Sequence, residues 1–265
     1  MIVDGKKIAN SIYEELAPKF AAIGRKVRLG IVVVGDNPVI ESFVGIKTRA
    51  AARLDIEMVR VSMPESTSQE NIVSAVKKLA EETDAIIVQL PLPKGIDTNA
   101  VLSATPPEKD VDALNPSIAE ADRPVHAPVP LAAVEILKRN NVPIKDTKAV
   151  VVGAGRLVGA PATWLMKSLG ADVRVFSLEE GSIDMLKDAD IVILGAGNPG
   201  FIKPEHVKEG VALIDAGTSE VQKKITGDAD PACAEKASVF TPVPGGVGPV
   251  AVAMIFKNLL QLLGK

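Results

Sequence analysis

The chain has 265 residues and a formal net charge of −3; 47% of it is hydrophobic and only 3% aromatic. That slightly acidic balance excludes nucleic acid and anionic membranes as main partners, and no apolar run reaches the roughly 18 residues of a membrane span. With Cys233 the single cysteine, and His126 and His206 far apart, neither a disulfide nor a metal site is expected.

The elements alternate along the chain. Asp4 to Phe20 has the apolar spacing of an amphipathic helix, and Arg28 to Val34 reads as a strand ending at the turn Gly35-Asp-Asn-Pro38. Val39 to Leu54 reads as a helix, Glu57 to Ser62 as a strand, and about Ser68 to Glu82 as a helix opened by a capping box of Thr67 and Glu70. Ala85 to Leu90 is an apolar strand stopped by prolines. This βαβαβ rhythm implies a parallel sheet, and a core rich in Val, Ile, Leu and Ala suits strands buried under helices. A loop-rich stretch from Pro91 to Pro130 precedes a helix at Leu131 to Asn140. A second α/β unit follows, with strands at Lys148–Val152, Asp172–Phe176, Ala189–Leu194 and Val211–Asp215, a helix up to Leu169, and a last helix from near Val250. The expected fold class is therefore α/β with two α/β domains, and the boundary near residue 125 is soft because composition hardly changes there.

Glycine marks the sites. Gly153-x-Gly155-x-x-x-Gly159 lies between a strand and a helix, where missing side chains let the backbone approach a pyrophosphate and the helix N-terminus favours an anion. Alone the pattern also fits a tight packing turn; its context favours a nucleotide. Gly195-Ala-Gly197-Asn-Pro199 and Asp215-Ala-Gly217-Thr218 fall at strand C-termini, the edge where open parallel sheets bind ligands. Thr241 to Pro249 packs three prolines and three glycines into nine residues, a rigid bent loop that can lie flat against a ligand. Lys47 follows Phe43 by four residues on a face continued by Ala50 and Leu54. A desolvated lysine there has a lowered pKa suited to proton transfer; the same pattern fits a lysine snorkelling from the stripe edge equally well. Gln89 ends an apolar strand, and its amide must find partners. Asp112, read from the residues alone, fits a surface turn better than a site.

Taken together and in order, Val88-Gln-Leu-Pro-Leu-Pro93, Lys109-Asp-Val-Asp112 and Thr241-Pro-Val-Pro-Gly-Gly-Val-Gly-Pro249 resemble the bifunctional methylenetetrahydrofolate dehydrogenase/methenyltetrahydrofolate cyclohydrolase (FolD) family, over Val3 to about Leu263. The resemblance implies an NAD(P)-dependent, folate-oxidising, cytoplasmic homodimer acting on a tetrahydrofolate derivative. It implies a folate-binding catalytic domain at residues 1–125 with the terminal helix 250–265 packed back on it, a Rossmann-like NAD(P)-binding domain at 126–249, and a cleft between the two. Lys47, Gln89 and Asp112 become the catalytic set, with Gln89 hydrogen-bonded to Lys47 and Asp112 anchoring the pterin. Phe43, Pro242, Pro244, Gly245 and Gly246 become the folate wall. Gly153, Ala154, Gly155, Arg156, Gly159, Ser177, Glu179, Gly195, Gly197, Gly217 and Thr218 become the cofactor contacts, the loops Gly195–Pro199 and Asp215–Thr218 lining the ribose and nicotinamide.

Several residues depart from the family pattern. Phe43 stands where tyrosine is usual and Ile40 where a serine is usual; Ala127-Pro-Val-Pro130 replaces Pro-Cys-Thr-Pro, and Ala251 replaces a threonine. Hydride transfer is thus the safer activity, and hydrolysis depends on a reduced proton-handling set. Ala154-Gly155 replaces the Arg-Ser that often holds the NADP 2′-phosphate, Leu178 stands where a basic residue is common, and Glu179, twenty residues past Gly159, suits the 2′-hydroxyl of NAD. Arg156 or Arg174 could compensate, so weak discrimination between NADP and NAD is expected. Two other readings fit less well. A short-chain dehydrogenase needs a tyrosine hydroxyl and an aromatic–lysine pair after the glycine loop, and a non-catalytic nucleotide or folate sensor would not need Lys47, Gln89 and Asp112.

Overall fold

The computed structural model describes residues 1–177, 179–221 and 224–264. They form two compact units, Ser11–Pro128 with Val252–Lys265, and Met1–Asn10 with Val129–Ala251. Among the described residues no helix is long and apolar enough to cross a membrane.

Helix α1 (Gly5–Ala21) belongs to the second unit up to Asn10 and to the first from Ser11, where it precedes β1 (Val27–Val34), α2 (Pro38–Arg53), β2 (Ile56–Met63), α3 (Gln69–Glu82), β3 (Ala85–Val88) and the short α4 (Thr98–Leu102). The strands form a parallel sheet in the order β2-β1-β3, with Leu29 opposite Met58 on one side and Ala85 on the other. Central β1 is almost wholly buried, which explains its unbroken apolar run. Gly30 lies under Leu79 of α3, and a Cβ there would sit 2.7 Å from the Leu79 Cγ, so the glycine sets the helix–sheet spacing. Helix α2 starts at Asn37, whose side chain accepts from the Val39 amide at 2.8 Å, with Pro38 in the first turn.

The cap of α3 is Ser68, which accepts from the Asn71 amide; Thr67 instead donates its hydroxyl to the Pro64 carbonyl. The N-cap thus falls one residue later than expected, on Ser68, because Thr67 closes the preceding turn. Helix α4 falls within the stretch read as loop, too short to show a period.

The second unit holds α5 (Pro128–Arg139), β4 (Lys148–Val152), α6 (Gly159–Ser168), β5 (Asp172–Phe176), β6 (Ile191–Leu194), β7 (Ala212–Asp215), β8 (Ser219–Val221), β9 (Lys224–Thr226) and β10 (Val239–Phe240). Five strands make a parallel sheet in the order β10-β7-β6-β4-β5, and β8 and β9 pair antiparallel. The Met1 and Val3 backbones bond Phe240 at the β10 edge. Core residues include the fully buried Val150, Val192 and Leu213.

The last helix, α7 (Val247–Leu262), begins three residues before the expected Val250, so Gly248 and Pro249 lie in its first turn, where proline costs nothing. Its later turns pack on the first unit, as expected. Phe256 meets Tyr13 edge to face at 6.2 Å, and the Asn258 amide donates to the Val111 and His126 carbonyls at 2.8 Å each.

Candidate active site

The first unit brings Lys47, Gln89 and Asp112 together. Lys47 Nζ donates to Gln89 Oε1 at 2.9 Å, and Gln89 Nε2 donates to the Leu90 carbonyl at 2.7 Å. Gln89 is buried because it sits one residue past β3, its amide still on the ladder at the Val32 carbonyl. Both ends of its side chain are therefore satisfied, which fixes which end faces the lysine. Burial pushes the Lys47 ammonium below its usual pKa, opposed by the charge of Asp112. Burial pushes Asp112 above its usual value, opposed by Lys47. Each charge is thus costly alone and tolerable beside the other, which suits a group that gives and takes a proton.

The residues of the Lys109-Asp-Val-Asp segment do four different things. Lys109 Nζ donates to the Ala80 and Thr83 carbonyls at the end of α3. Asp110 accepts from the Leu114 and Asn115 amides, both at 2.8 Å, and burial raises its pKa to about 6. Val111 is fully buried. Asp112 is left for the lysine. The turn continues through Ala113 at φ 53°, whose carbonyl is held by the Arg123 guanidinium.

Phe43 lies one turn before Lys47 on α2 and is 43% exposed, so its ring face is open. The other expected folate contacts belong to the second unit. Val243–Pro244 is a cis peptide, Pro244 is exposed, and Gly245 has open space where a Cβ would stand. Gly246 also packs against the start of α1, since a Cβ on Gly5 would lie 1.8 Å from its carbonyl oxygen.

In the second unit the first glycine loop separates packing from ligand-facing positions. A Cβ on Gly159 would lie 2.0 Å from the Gly153 carbonyl, and one on Gly153 would lie 2.7 Å from the Gly195 carbonyl. Both glycines hold loop, helix and neighbouring strand end together. Gly155 faces open space, with Ala154 and Arg156 also exposed, at the mouth of α6. This is the cradle a pyrophosphate needs, so the residues fit a dinucleotide. Past β5, Ser177 Oγ accepts from the Glu179 and Glu180 amides at 3.2 and 3.3 Å, leaving the Glu179 side chain exposed. Leu178 lies outside the described residues. Arg174 is tied to Asp188 at 2.5 Å and to the Met185 carbonyl at 3.1 Å, which argues against its serving as a phosphate clamp.

Gly195 and Gly197, after β6, and Gly217 and Thr218, after β7, all stand at the C-terminal edge of the sheet. Sequence reasoning missed what holds them. Buried Asp228 accepts from the Ala196, Gly197 and Asn198 amides, and buried Asp215 accepts from Gly217, Asp228 and Ala229. Nothing local marked it, because Asp228 stands among the mixed charged and polar residues of Ser219 to Lys236.

Two family profiles divide the chain between them. Residues 3–112 match the tetrahydrofolate dehydrogenase/cyclohydrolase catalytic domain, and residues 127–265 match the NAD(P)-binding domain of the same family. The chain belongs to that family. The bifunctional protein FolD of Halothermothrix orenii is 38% identical over 273 residues, covering 98% of this chain and 96% of that one. The crystal structure of the Campylobacter jejuni FolD dehydrogenase/cyclohydrolase superposes with a TM-score of 0.93 at 29% identity, over 100% of this chain and 98% of that one. The Trypanosoma brucei FolD, solved with NADP cofactor and inhibitor, gives 0.92 at 34% identity, over 100% and 97%.

Proposed function

We infer that the protein oxidises methylenetetrahydrofolate with NAD(P) and hydrolyses the methenyl product to formyltetrahydrofolate, in one-carbon metabolism. The observation that carries this reading is the Lys47–Gln89 hydrogen bond, with Asp112 opposing the lysine's loss of charge, in a chain of this family. Bound NAD(P)⁺ supplies the hydride acceptor. The protein's own work is to hold the folate and manage protons. Asp112 accepts N–H bonds from the pterin edge, and Phe43 offers its ring face. Lys47, its pKa lowered by burial, carries the proton as water adds to the methenyl bridge and the ring opens. Gln89 fixes the direction of the Lys47 Nζ. Phe43 lacks a hydroxyl, so proton handling rests on Lys47, Gln89 and Asp112.

The same reading gives residues 1–125 with 250–265 the folate side and residues 126–249 the nucleotide side, with Pro242, Pro244, Gly245 and Gly246 contributing the folate wall. The nucleotide contacts are those of the three glycine loops with Ser177 and Glu179. With Ala154 in the loop, Glu179 exposed and Arg174 tied to Asp188, the 2′-phosphate has little to select it, so NADP and NAD serve comparably. The protein acts as a cytoplasmic homodimer. A spectrophotometric assay with methylenetetrahydrofolate and each nicotinamide cofactor, followed by hydrolysis of the methenyl compound, tests the reading. Absence of cofactor reduction with both nucleotides would overturn it.

A further inference from the structure

The loop of residues 195–199 carries no side chain fitted to chemistry, so its contribution to a bound nucleotide lies in where its backbone stands. What fixes that backbone is distant in sequence. Asp228, fully buried, receives the Ala196 amide at 2.7 Å and the Gly197 amide at 3.1 Å on Oδ2, and the Asn198 amide at 2.8 Å on Oδ1. Three successive N–H groups therefore converge on one carboxylate, and they draw an exposed loop onto a buried anchor. The same carboxylate touches the neighbouring loop. A Cβ on Gly217 would lie 2.3 Å from the Asp228 Cγ, so that glycine is needed for the 215–218 loop to close over the acid.

Asp228 is in turn held from behind. Its amide donates to Asp215 Oδ1 at 3.2 Å, its carbonyl accepts from Ile202 at 3.1 Å, and Asp215 also collects Gly217 and Ala229. Gly227 leaves room for this, because a Cβ there would lie 2.2 Å from Asp215 Oδ2. Two acids thus cross-brace the ends of β6 and β7 at the edge where a parallel sheet binds its ligand.

The geometry points to Asp228 as a positioning residue for the nicotinamide half of the cofactor, acting through the backbone of residues 196–198 and the packing of Gly217. This rests on the nucleotide reading above and extends it to a residue that touches no ligand. The substitution that tests it is Asp228→Asn. Asparagine has the same shape but one acceptor oxygen, and its NH2 faces an amide that needs an acceptor, so the three N–H groups cannot all be satisfied.

The experiment measures, for wild type and D228N, equilibrium affinities for NAD⁺, NADP⁺ and adenosine 5′-monophosphate, together with methenyl hydrolysis, which consumes no nicotinamide. Expected for D228N is a loss of about tenfold or more in affinity for both dinucleotides. Affinity for the adenosine fragment and the rate of hydrolysis should stay within about threefold of wild type, and kcat for oxidation at saturating cofactor should fall much less than kcat/KM. Equal losses for the dinucleotides, the fragment and hydrolysis would make Asp228 a general fold residue and overturn the proposal, as would unchanged dinucleotide affinity. Failure of the wild type to bind either dinucleotide would instead sink the nucleotide reading itself.

Discussion

Both units bury acids, and what surrounds the acids separates the proposed reacting site from a brace. In the first unit Asp112 has a side-chain ammonium for company, and both groups are pushed toward neutrality by burial. In the second unit Asp215 and Asp228 have fixed amides for company, three each. A carboxylate held by backbone N–H groups has nowhere to send a proton, and it organises loops. One opposed by a lysine on a neighbouring helix shares a proton balance that a substrate can tip. Asp110 shows the division inside a single motif, since it is amide-bound like the second unit's acids although it lies two residues from Asp112.

The largest effect should follow from removing the ammonium. Lys47→Met keeps the apolar stem and should lower the rate of methenyl hydrolysis by about 10²–10⁴-fold, the usual worth of a positioned acid–base group. Circular dichroism should show the fold intact; hydrolysis within a fewfold of wild type would remove Lys47 from the chemistry. Asp112→Ala should weaken folate binding by roughly 1.5–3 kcal/mol, a charge-assisted hydrogen bond's worth, and leave dinucleotide affinity alone. Equal losses for both ligands would mean that the 110–115 turn had collapsed.

The amide-bound acids make a prediction about stability. Asp110 and Asp215 both rise from 3.8 to about 6 on folding, so the folded protein binds these protons more tightly than the unfolded chain. Their contribution is fully present below the unfolded value and is lost as pH rises through about 6. Between about pH 4 and 6 their share of the unfolding free energy should therefore fall with rising pH. Asp110 takes both amide bonds on Oδ2, so Asp110→Asn can keep them while removing the charge. That variant should be more stable than wild type at pH 7 by on the order of 1–3 kcal/mol and indistinguishable from it near pH 4. Denaturant melts at the two pH values decide the matter, and a D110N protein destabilised at pH 7 would show that its charge is compensated.

A smaller effect concerns the cofactor. The kcat/KM values for NADP and NAD should lie within about tenfold of each other, since a missing phosphate-binding arginine is worth that much or more. A preference for NADP above about a hundredfold would identify Arg156, exposed in the first glycine loop, as a phosphate clamp. Smallest is Ala113→Gly: relief of a left-handed alanine, worth about 1 kcal/mol, less the entropy cost of glycine, should raise stability by only a few tenths. A loss of stability would show that the Arg123 contact depends on the alanine.

The sequence made some of this legible and hid the rest for physical reasons. Lys47 and Phe43 could be read because four residues make one helical turn, and Gln89 because an amide at the end of an apolar strand has to be satisfied. Asp112 could not be told from Asp110, since two acids flanking one valine look alike until the backbone shows which has amides. Asp228 was out of reach because its partners lie about thirty residues earlier, and no local period encodes such a contact. The edge strands were hidden as well. β10 is only two residues, and the segment around Ile2 pairs with it through an isolated bridge to Phe240.

The proposed proton chemistry depends on burial lowering the Lys47 pKa and on Asp112 opposing that shift. Titration of the Lys47 Nζ by isotope-resolved NMR, in the wild type and in Asp112→Asn, tests this without any turnover. The wild-type value should lie well below the ordinary 10.5, and loss of the Asp112 charge should lower it further. A Lys47 that titrates at the ordinary value, and does not move when Asp112 is neutralised, would contradict that dependence.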